Sequence, residues 1–312
     1  MQHIMRRRAL YYLISLAIIL PGLIALIIPP HLRLAVDFTG GTLWEVQFAN
    51  QTPALADVKA VLADKGYPDA VVQTSGERGV LIRAKEIPSE GNVKADISDA
   101  LRQRFGSFQE LRFDTVGPVV GAEVAQRAVL AIALASIGIL LYIAWAFRRV
   151  DHPIRYGACA IIALLHDALV VLGIFSILGH IFGIEVDALF VTAVLTVIGF
   201  SVHDTIVVFD RIRENMRRMH GQPFEDVVNH SLLQTLGRSL ATSLTVMFTL
   251  SALVLFGGVT TREFALALLV GIISGTYSSI FNASALLVSW ENGDFGRLFG
   301  RRPATPRALA RP

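Results

Sequence analysis

Six long apolar segments constrain what this chain can fold into. Each is long enough to cross the hydrocarbon core of a bilayer, about 30 Å thick, as a helix of about 20 residues. The predicted helices cover Leu10–Ile28, Ala125–Phe147, Ile154–Leu178, Val186–Phe209, Leu236–Phe256 and Phe264–Leu287. Of the 312 residues, 53% are hydrophobic and 17% are charged, whereas soluble domains carry about 25% charged residues. The sequence therefore predicts an α-helical polytopic membrane protein with six transmembrane helices.

Basic residues predict how these helices are oriented, because short cytoplasmic loops are enriched in Lys and Arg. Arginines lie before the first helix, after the second and fourth helices, and in the tail: Arg6, Arg7, Arg8, Arg148, Arg149, Arg155, Arg211, Arg213, Arg217, Arg218, Arg297, Arg301, Arg302, Arg307 and Arg311. Both termini are therefore predicted to be cytoplasmic. The first helix is interpreted as a retained anchor rather than a signal peptide, since its apolar run of about 19 residues exceeds the apolar region of a signal peptide.

The segment between the first two helices is predicted to form a small domain on the outer, periplasmic side. Strands at 42–48, 70–74, 79–84 and 108–116 alternate with helices at 53–66 and 92–105, in the order βαββαβ. That order is typical of a ferredoxin-like α+β domain, which we interpret as a binding or lever module. The predicted parts of the chain are residues 1–30 (N-terminus and first helix), 31–122 (periplasmic domain), 123–292 (helices 2–6) and 293–312 (an Arg- and Pro-rich cytoplasmic tail).

An acid and an arginine inside the apolar segments are candidate functional residues. Asp204 lies in IGFSVHDTIVVFDRIREN, and Arg238 opens the fifth helix in NHSLLQTLGRSLATSLT. A charged residue within a membrane helix is costly, and it often relays protons or pairs with an opposite charge. The two side chains are predicted at similar depth, where they can form an ion pair that protonation of Asp204 would release, because an arginine keeps its charge. Two other interpretations stay open: Asp204 as an interfacial acid near Arg211, and Arg238 as a cytoplasmic anchor.

Other polar residues in the helices are predicted to support this site. Thr242 and Thr245 follow Arg238 on one helix face and indicate a wet interior surface. Asp167 and its neighbour His166 lie deep in the third helix, as possible polar support without an assigned partner. Helix ends place Asp167 about 12 Å deeper than Asp204, which argues against an intramembrane aspartyl protease with two facing acids.

The remaining patterns concern packing and excluded chemistry. Gly271 and Gly275 have the G-x-x-x-G spacing that predicts a close helix neighbour. No H-E-x-x-H, Walker A or G-x-S-x-G motif occurs, so the sequence predicts neither an enzyme, a catalytic residue nor a resident cofactor. No metal site is predicted, because the His-Asp pairs have apolar flanks and no further acids. The net charge of +3 does not indicate nucleic-acid binding, since the arginines cluster beside apolar runs.

Six motifs occur in order along nearly the whole chain: DFTGGT (37–42), VGPVVG (116–121), LLHDALVVLG (164–173), IGFSVHDTIVVFDRIREN (198–215), QTLGRSLATSLT (234–245) and GTYSSIF (275–281). Together they resemble the SecF family of bacterial protein-export membrane proteins, within the resistance-nodulation-division superfamily. In that family the acid of (N/H)-D-T-I-V-V and the arginine of Q-T-L-x-R-S are implicated in proton transport. They match Asp204 and Arg238 here, while His203 stands where many relatives carry Asn.

The resemblance implies a function and a set of partners. Superfamily members pair two six-helix halves, so SecD would supply the second half. The pair would use the proton-motive force to promote late translocation of unfolded preproteins through SecYEG and its accessory small membrane subunit. Some relatives are thought to use sodium instead. The chain would lie in the bacterial cytoplasmic (inner) membrane, with its tail near anionic lipid. Two alternatives are a proton-driven exporter of the same superfamily and a structural subunit that stabilises SecD or SecYEG.

Overall fold

The computed structural model describes residues 4–49, 52–76, 78–89, 91–148 and 152–294. The helices are α1 (Arg8–Ile27), α2 (Val36–Thr39), α3 (Leu55–Asp64), α4 (Val93–Phe105), α5 (Pro118–Ala146), α6 (Pro153–Phe182), α7 (Ala188–Arg218), α8 (Phe224–Phe256), α9 (Val259–Tyr277) and α10 (Ser284–Glu291). The strands are β1 (Gly41–Phe48), β2 (Val71–Ser75), β3 (Gly79–Ala84) and β4 (Phe108–Val116). A π-helical segment, Ser278–Ala283, joins α9 to α10. Arg149 and the tail arginines from Arg297 onward lie outside the described residues.

Six helical stretches within the described ranges have the length and apolarity of membrane spans. They are α1, α5, α6, α7, α8 and the continuous stretch formed by α9, the π-helical segment and α10. The predicted number and order of membrane helices are therefore confirmed. A bilayer-spanning helix requires length and apolarity, and both properties can be read directly from the amino-acid sequence.

Two of these helices, α7 and α8, extend furthest beyond one predicted end, because polar residues continue them past the apolar stretch. Helix α7 continues past Phe209 to Arg218, where Glu214 forms ion pairs of 2.7 Å with Arg211 and 2.6 Å with Arg218. Pairs at these spacings stabilise exposed helix surfaces. Helix α8 begins at Phe224 rather than near Leu236. The functional candidates on both helices consequently lie near the middle of a helix and not near its end.

The described residues fall into two compact units. The helical unit consists of the residues up to Arg33 and those from Ala131 onward, and the sheet unit runs from Leu34 to Leu130. The sheet unit includes the first turns of α5, whereas the predicted periplasmic domain ends at residue 122. The predicted domain limits stay a prediction.

In the helical unit, α6, α7 and the stretch from α9 to α10 form the inner layer. At least half of the apolar window of each is buried, whereas α1, α5 and α8 leave most of theirs exposed. Small residues bring the outer and inner helices together. A Cβ atom on Gly22 of α1 would lie 2.7 Å from the Cα atom of Gly173 in α6. The backbones of α1 and α6 are therefore in direct contact, as small residues at membrane-helix crossings permit.

The sheet unit is a four-stranded antiparallel sheet in the order β2-β3-β1-β4. Helix α3 connects β1 to β2, and α4 connects β3 to β4, so the predicted element order is observed. Trp44 on the central strand β1 pairs with Ile82 on β3 and Phe113 on β4. The core is made by alternate strand residues and one face of each helix: Trp44, Val46, Phe48, Val58, Leu62, Val80, Ile82, Ile97 and Leu101.

Candidate functional site

Asp167, near the middle of α6, is fully buried and lies at the centre of a polar cluster. Its Oδ2 atom accepts hydrogen bonds of 2.5 Å from the hydroxyls of Ser201 and Ser278. Its Oδ1 atom accepts one of 2.7 Å from Ser274 and lies 2.9 Å from Nδ1 of His166. We call these five residues the Asp167 cluster. A buried carboxylate is tolerated when donors satisfy it, and here the donors come from α6, α7, α9 and the π-helical segment.

Sequence patterns point to Asp167 and His166 but not to the three serines that complete the cluster. Ser274 and Ser278 are four residues apart, a spacing that places both on one helix face. That spacing, in an apolar helix opposite a membrane acid, is the signal that could have identified them. Ser201 is separated from Asp167 by 34 positions in the chain, so only helix packing brings the two together.

His166 supports the cluster through one ring nitrogen. The tautomer with a proton on Nδ1 gives Asp167 a fourth donor, and Nε2 is buried without a hydrogen-bond partner among the described residues. The ring faces Tyr277, with the two centroids 6.3 Å apart. In the part of the chain that the structure describes, no group of three or more His, Cys, Asp and Glu side chains is placed to hold a metal ion.

The π-helical segment links three other helices through its polar side chains. The Ser279 hydroxyl lies 2.9 Å from the Thr205 hydroxyl and donates to the Ser201 carbonyl at 3.1 Å. Asn282 exchanges hydrogen bonds of 3.0 and 2.7 Å with Ser15 of α1. Single π turns are rare and are frequent at functional sites. Here the widened turn presents Ser278 to α6, Ser279 to α7 and Asn282 to α1.

Asp204 is buried in α7, with 5% of its surface exposed. Its Oδ2 atom is fully buried and has no hydrogen-bond partner among the described residues. An acid in a membrane helix is costly unless it is paired or reaches water. The two acids of this region therefore differ in kind: Asp167 accepts from three serine hydroxyls, while Asp204 leaves a buried oxygen unsatisfied.

Arg238, Thr242 and Thr245 lie on the exposed face of α8. Thr242 donates to the carbonyl of Arg238 at 3.1 Å, and Thr245 donates to that of Ala241 at 2.8 Å. In the chain by itself these three side chains face outward, and the predicted wet interior surface stays a prediction. The face of α8 that turns inward carries a different polar series: Ser231, Thr235, Ser239 and Ser243. Both series have helical spacing, and packing decides which one is buried.

The predicted ion pair between Asp204 and Arg238 is not formed within the described residues, since Asp204 is buried and Arg238 is exposed without a partner. Pairing of Asp204 with Arg211 is not observed either, because Arg211 bonds Glu214. The interpretation of Asp204 as an interfacial acid fits poorly with its place near the middle of α7. The roles of Asp204 and Arg238 stay a prediction.

The predicted 12 Å difference in depth between Asp167 and Asp204 is also wrong. Ser201, which bonds Asp167, precedes Asp204 by only one helical turn, or about 5 Å along the axis. The error arises because the predicted end of α7 is Phe209, whereas the helix extends to Arg218, so that Asp204 lies 14 residues from that end, just as Asp167 lies 14 residues from the start of α6 at Pro153. An aspartyl protease dyad shares a proton between two adjacent carboxyl groups, whereas no hydrogen bond joins these two acids among the described residues.

Gly271 and Gly275 of α9 lie against α7. A Cβ atom on Gly271 would be 2.1 Å from Cγ2 of Val197, and one on Gly275 would be 3.1 Å from Cβ of Ser201. Close approach of two membrane helices at small residues is the packing that the G-x-x-x-G spacing indicates. It also brings Ser274 and Ser278 within reach of Asp167 across the helix interface.

Comparison with known proteins identifies strong similarity along almost the whole chain. The family described as "Protein export membrane protein SecD/SecF, C-terminal" matches residues 96–293. The protein translocase subunit SecF of Thermobaculum terrenum is 59% identical over 98% of this chain and 99% of that relative. The SecF subunit of Anaerolinea thermophila is 50% identical over 98% of this chain and 100% of that relative.

A solved structure has the same fold. The crystal structure of SecDF from Thermus thermophilus, described as a translocon-associated membrane protein, matches with a TM-score of 0.79 and 33% identity. The match covers 92% of this chain but only 38% of the SecDF chain. The remaining part of SecDF has no counterpart in the aligned residues of this chain.

Proposed function

The chain belongs to the SecD/SecF family of protein export membrane proteins, and from that membership we propose that it works with SecD as one half of an ion-driven export unit. In this proposal the pair promotes late translocation of unfolded preproteins through the SecYEG channel and its accessory small membrane subunit. The identity of 59% to a translocase subunit SecF over nearly the full length of both chains supports a role in Sec protein export. The relatives are named as translocase subunits, which favours transport over enzymatic chemistry.

The observation that carries ion coupling is the buried, partnerless Oδ2 atom of Asp204. Acids in membrane helices commonly relay protons. We propose that Asp204 binds the coupling proton and that Arg238 is its counter-charge in the working complex. An ionised Asp204 would attract Arg238, and protonation would release it, since the guanidinium keeps its charge. The membrane potential supplies about 2.3 kcal/mol per charge per 100 mV for this step.

The exposed polar face of α8 supports the proposal that SecD completes the site. Arg238, Thr242 and Thr245 cannot face lipid without cost, yet this chain leaves all three exposed. The matched crystal structure is that of a SecDF protein in which this chain corresponds to 38% of the length. We therefore propose that a six-helix half of SecD packs on this face, and that assembly brings Arg238 and Asp204 into one water-accessible region.

The sheet unit fits a ferredoxin-like domain, because its βαββαβ element order and its β2-β3-β1-β4 antiparallel sheet agree with that topology. We propose that it lies on the periplasmic side of the inner membrane and that both termini are cytoplasmic. Arginines near the helix ends support this orientation, since Arg211, Arg213 and Arg218 lie in the last turns of α7 and Arg155 lies in the first turn of α6. The domain would then stand where a preprotein leaves the channel.

The test is complementation of bacteria depleted of their own SecF. Wild type, Asp204→Asn and Asp210→Asn are each co-expressed with the cognate SecD, and export of a signal-bearing precursor is followed at matched membrane levels. Asp210 is a matched control, because it is an exposed acid on the same helix and pairs with Arg213. We expect wild type and Asp210→Asn to restore export and Asp204→Asn to fail.

Two outcomes would change the proposal. If Asp204→Asn restores export as well as wild type, Asp204 is not the ion-coupling group and the chain acts as a structural subunit of the complex. If export depends on a sodium gradient and not on a proton gradient in otherwise identical vesicles, the coupling ion is sodium.

A further inference from the structure

Ser201 and Thr205, which lie before and after Asp204 in α7, are both linked by hydrogen bonds to the π-helical segment. Ser201, one turn before Asp204, donates its hydroxyl to Asp167 at 2.5 Å, and Asp167 also accepts from Ser278. Thr205, directly after Asp204, lies 2.9 Å from Ser279 through the two hydroxyls. The stretch of α7 that carries Asp204 is thus held at two points by consecutive serines of one π turn.

We propose that Asp167 is a positioning residue for Asp204. This inference rests on the proposed role of Asp204 as the proton-binding group. Asp167 makes no hydrogen bond to Asp204 in the described structure; it acts through Ser201. Its carboxylate is the common acceptor for Ser201, Ser274 and Ser278, so it joins α7 to α9 and to the π-helical segment.

The hydrogen bonds of Ser201 and Thr205 oppose rotation of α7 about its axis. Turning α7 about its axis would withdraw the Ser201 hydroxyl from Asp167 and the Thr205 hydroxyl from Ser279 at the same time. A buried polar group that loses its partner is costly, and the three hydroxyl side chains of Ser201, Thr205 and Ser279 are buried, as is Asp167. Because Gly275 packs closely against Ser201, α7 has little room to shift and restore these hydrogen bonds. The orientation that keeps Asp204 inside the helical unit is therefore set by the Asp167 cluster.

The charged and titratable groups around this stretch are few. On the elements packed here they are His166 and Asp167 on α6, His203 and Asp204 on α7, and Tyr277 at the end of α9, whereas Arg238 on α8 is exposed. The serines do not titrate in the accessible pH range. If removal of one serine hydroxyl alters the rate or the pH dependence of Asp204 protonation, the cause is therefore a change in the position of Asp204 and not the loss of a charge.

The experiment measures the reactivity of Asp204 directly. Dicyclohexylcarbodiimide modifies protonated carboxyl groups within membranes, and mass spectrometry quantifies the modified Asp204 peptide. The full chain is labelled across a range of pH in inner-membrane vesicles that also contain the cognate SecD. The variants are Asp167→Asn, which replaces one acceptor oxygen, and Ser278→Ala, which removes one donor. Ser243→Ala is the control, because Ser243 is a buried membrane serine bonded to Thr276 and outside the Asp167 cluster.

We expect Asp167→Asn and Ser278→Ala to change the rate of Asp204 labelling by about twofold to thirtyfold, or to shift its pH midpoint by the equivalent of about 0.3 to 1.5 pH units, the range typical of a residue that couples to a site. Ser243→Ala should leave the labelling profile unchanged. Unaltered labelling in both cluster variants overturns the proposal, as does an equal change in Ser243→Ala. If Asp167→Asn does not insert into the membrane, the labelling profile of Ser278→Ala alone decides whether the proposal holds. Normal export by Asp204→Asn would contradict the proposed function alone, since the labelling profile does not depend on export.

Discussion

Ser201 donates a 2.5 Å hydrogen bond to Asp167 across the interface between α7 and α6. This contact connects the two acids of the membrane helices, because Ser201 lies one turn from Asp204 on the same helix. One acid is thereby enclosed by donors, while the other retains an unsatisfied oxygen. The division is consistent with a structural role for Asp167 and an exchanging role for Asp204, and it leads to four predictions on stability, coupling and orientation.

Ser274→Ala is expected to destabilise the helical unit by about 1–3 kcal/mol, because it removes a donor from the buried Asp167 carboxylate. Ser243→Ala should cost less, since the Thr276 hydroxyl that bonds Ser243 keeps the Ile272 carbonyl as a second acceptor. Thermal unfolding of the purified full chain in complex with SecD measures both. Equal losses of stability in the two variants would contradict the expectation that a donor to Asp167 contributes more to stability than another buried serine.

Gly271→Ala is expected to destabilise the packing of α9 on α7 by about 1–3 kcal/mol. The added Cβ atom would lie 2.1 Å from Cγ2 of Val197, which has to move. The control is Gly199→Ala, where a Cβ atom has no neighbour within 4 Å and Ala favours the helix by about 1 kcal/mol. Adding Val197→Ala to Gly271→Ala should restore part of the lost stability, since the two residues are in contact. Thermal unfolding again provides the measurement, and loss from Gly199→Ala but not Gly271→Ala would refute the interface.

Arg238→Gln is expected to abolish ion-driven export while changing the stability of the isolated chain by less than about 0.5 kcal/mol. The reason is that Arg238 is exposed on α8 and forms no ion pair within the described residues. Precursor export with SecD and unfolding of the chain without SecD are compared for Arg238→Gln and Arg217→Gln, an exposed arginine near the end of α7. A large loss of stability without SecD would show that Arg238 has a partner inside this chain.

The proposed orientation predicts which positions are reached from outside the inner membrane. In a Cys159→Ser background, Ser89→Cys reports the sheet unit and His220→Cys reports the α7–α8 connection; both positions are exposed. An impermeant maleimide should label Ser89→Cys in cells with a permeabilised outer membrane and His220→Cys only after lysis. The opposite labelling pattern would show that the sheet unit is cytoplasmic and the α7–α8 connection is periplasmic. Wild-type Cys159 serves as a background check, since it is buried and should react only after denaturation.

Residue patterns alone predict the parts of this fold that depend on local composition. Strand β4 begins at Phe108 and strand β3 ends at Ala84, as predicted, because turns and alternating apolar residues mark both positions. The membrane helices are predicted in number and order for a similar reason. The end of α7 is missed, because ion pairs around Glu214 continue the helix after the apolar residues stop.

For the candidate site, the sequence by itself determined which residues are unusual in a membrane: Asp167, Asp204 and Arg238. Tertiary structure decided which of them are satisfied. The serine donors to Asp167 come from positions 34, 107 and 111 residues away, and no periodicity within one helix can specify such contacts. Rotation of α8 placed Arg238 outward and Ser239 inward. A charged residue is recognisable from its own chemistry, but its partner is set by the packing of helices that are distant in the chain.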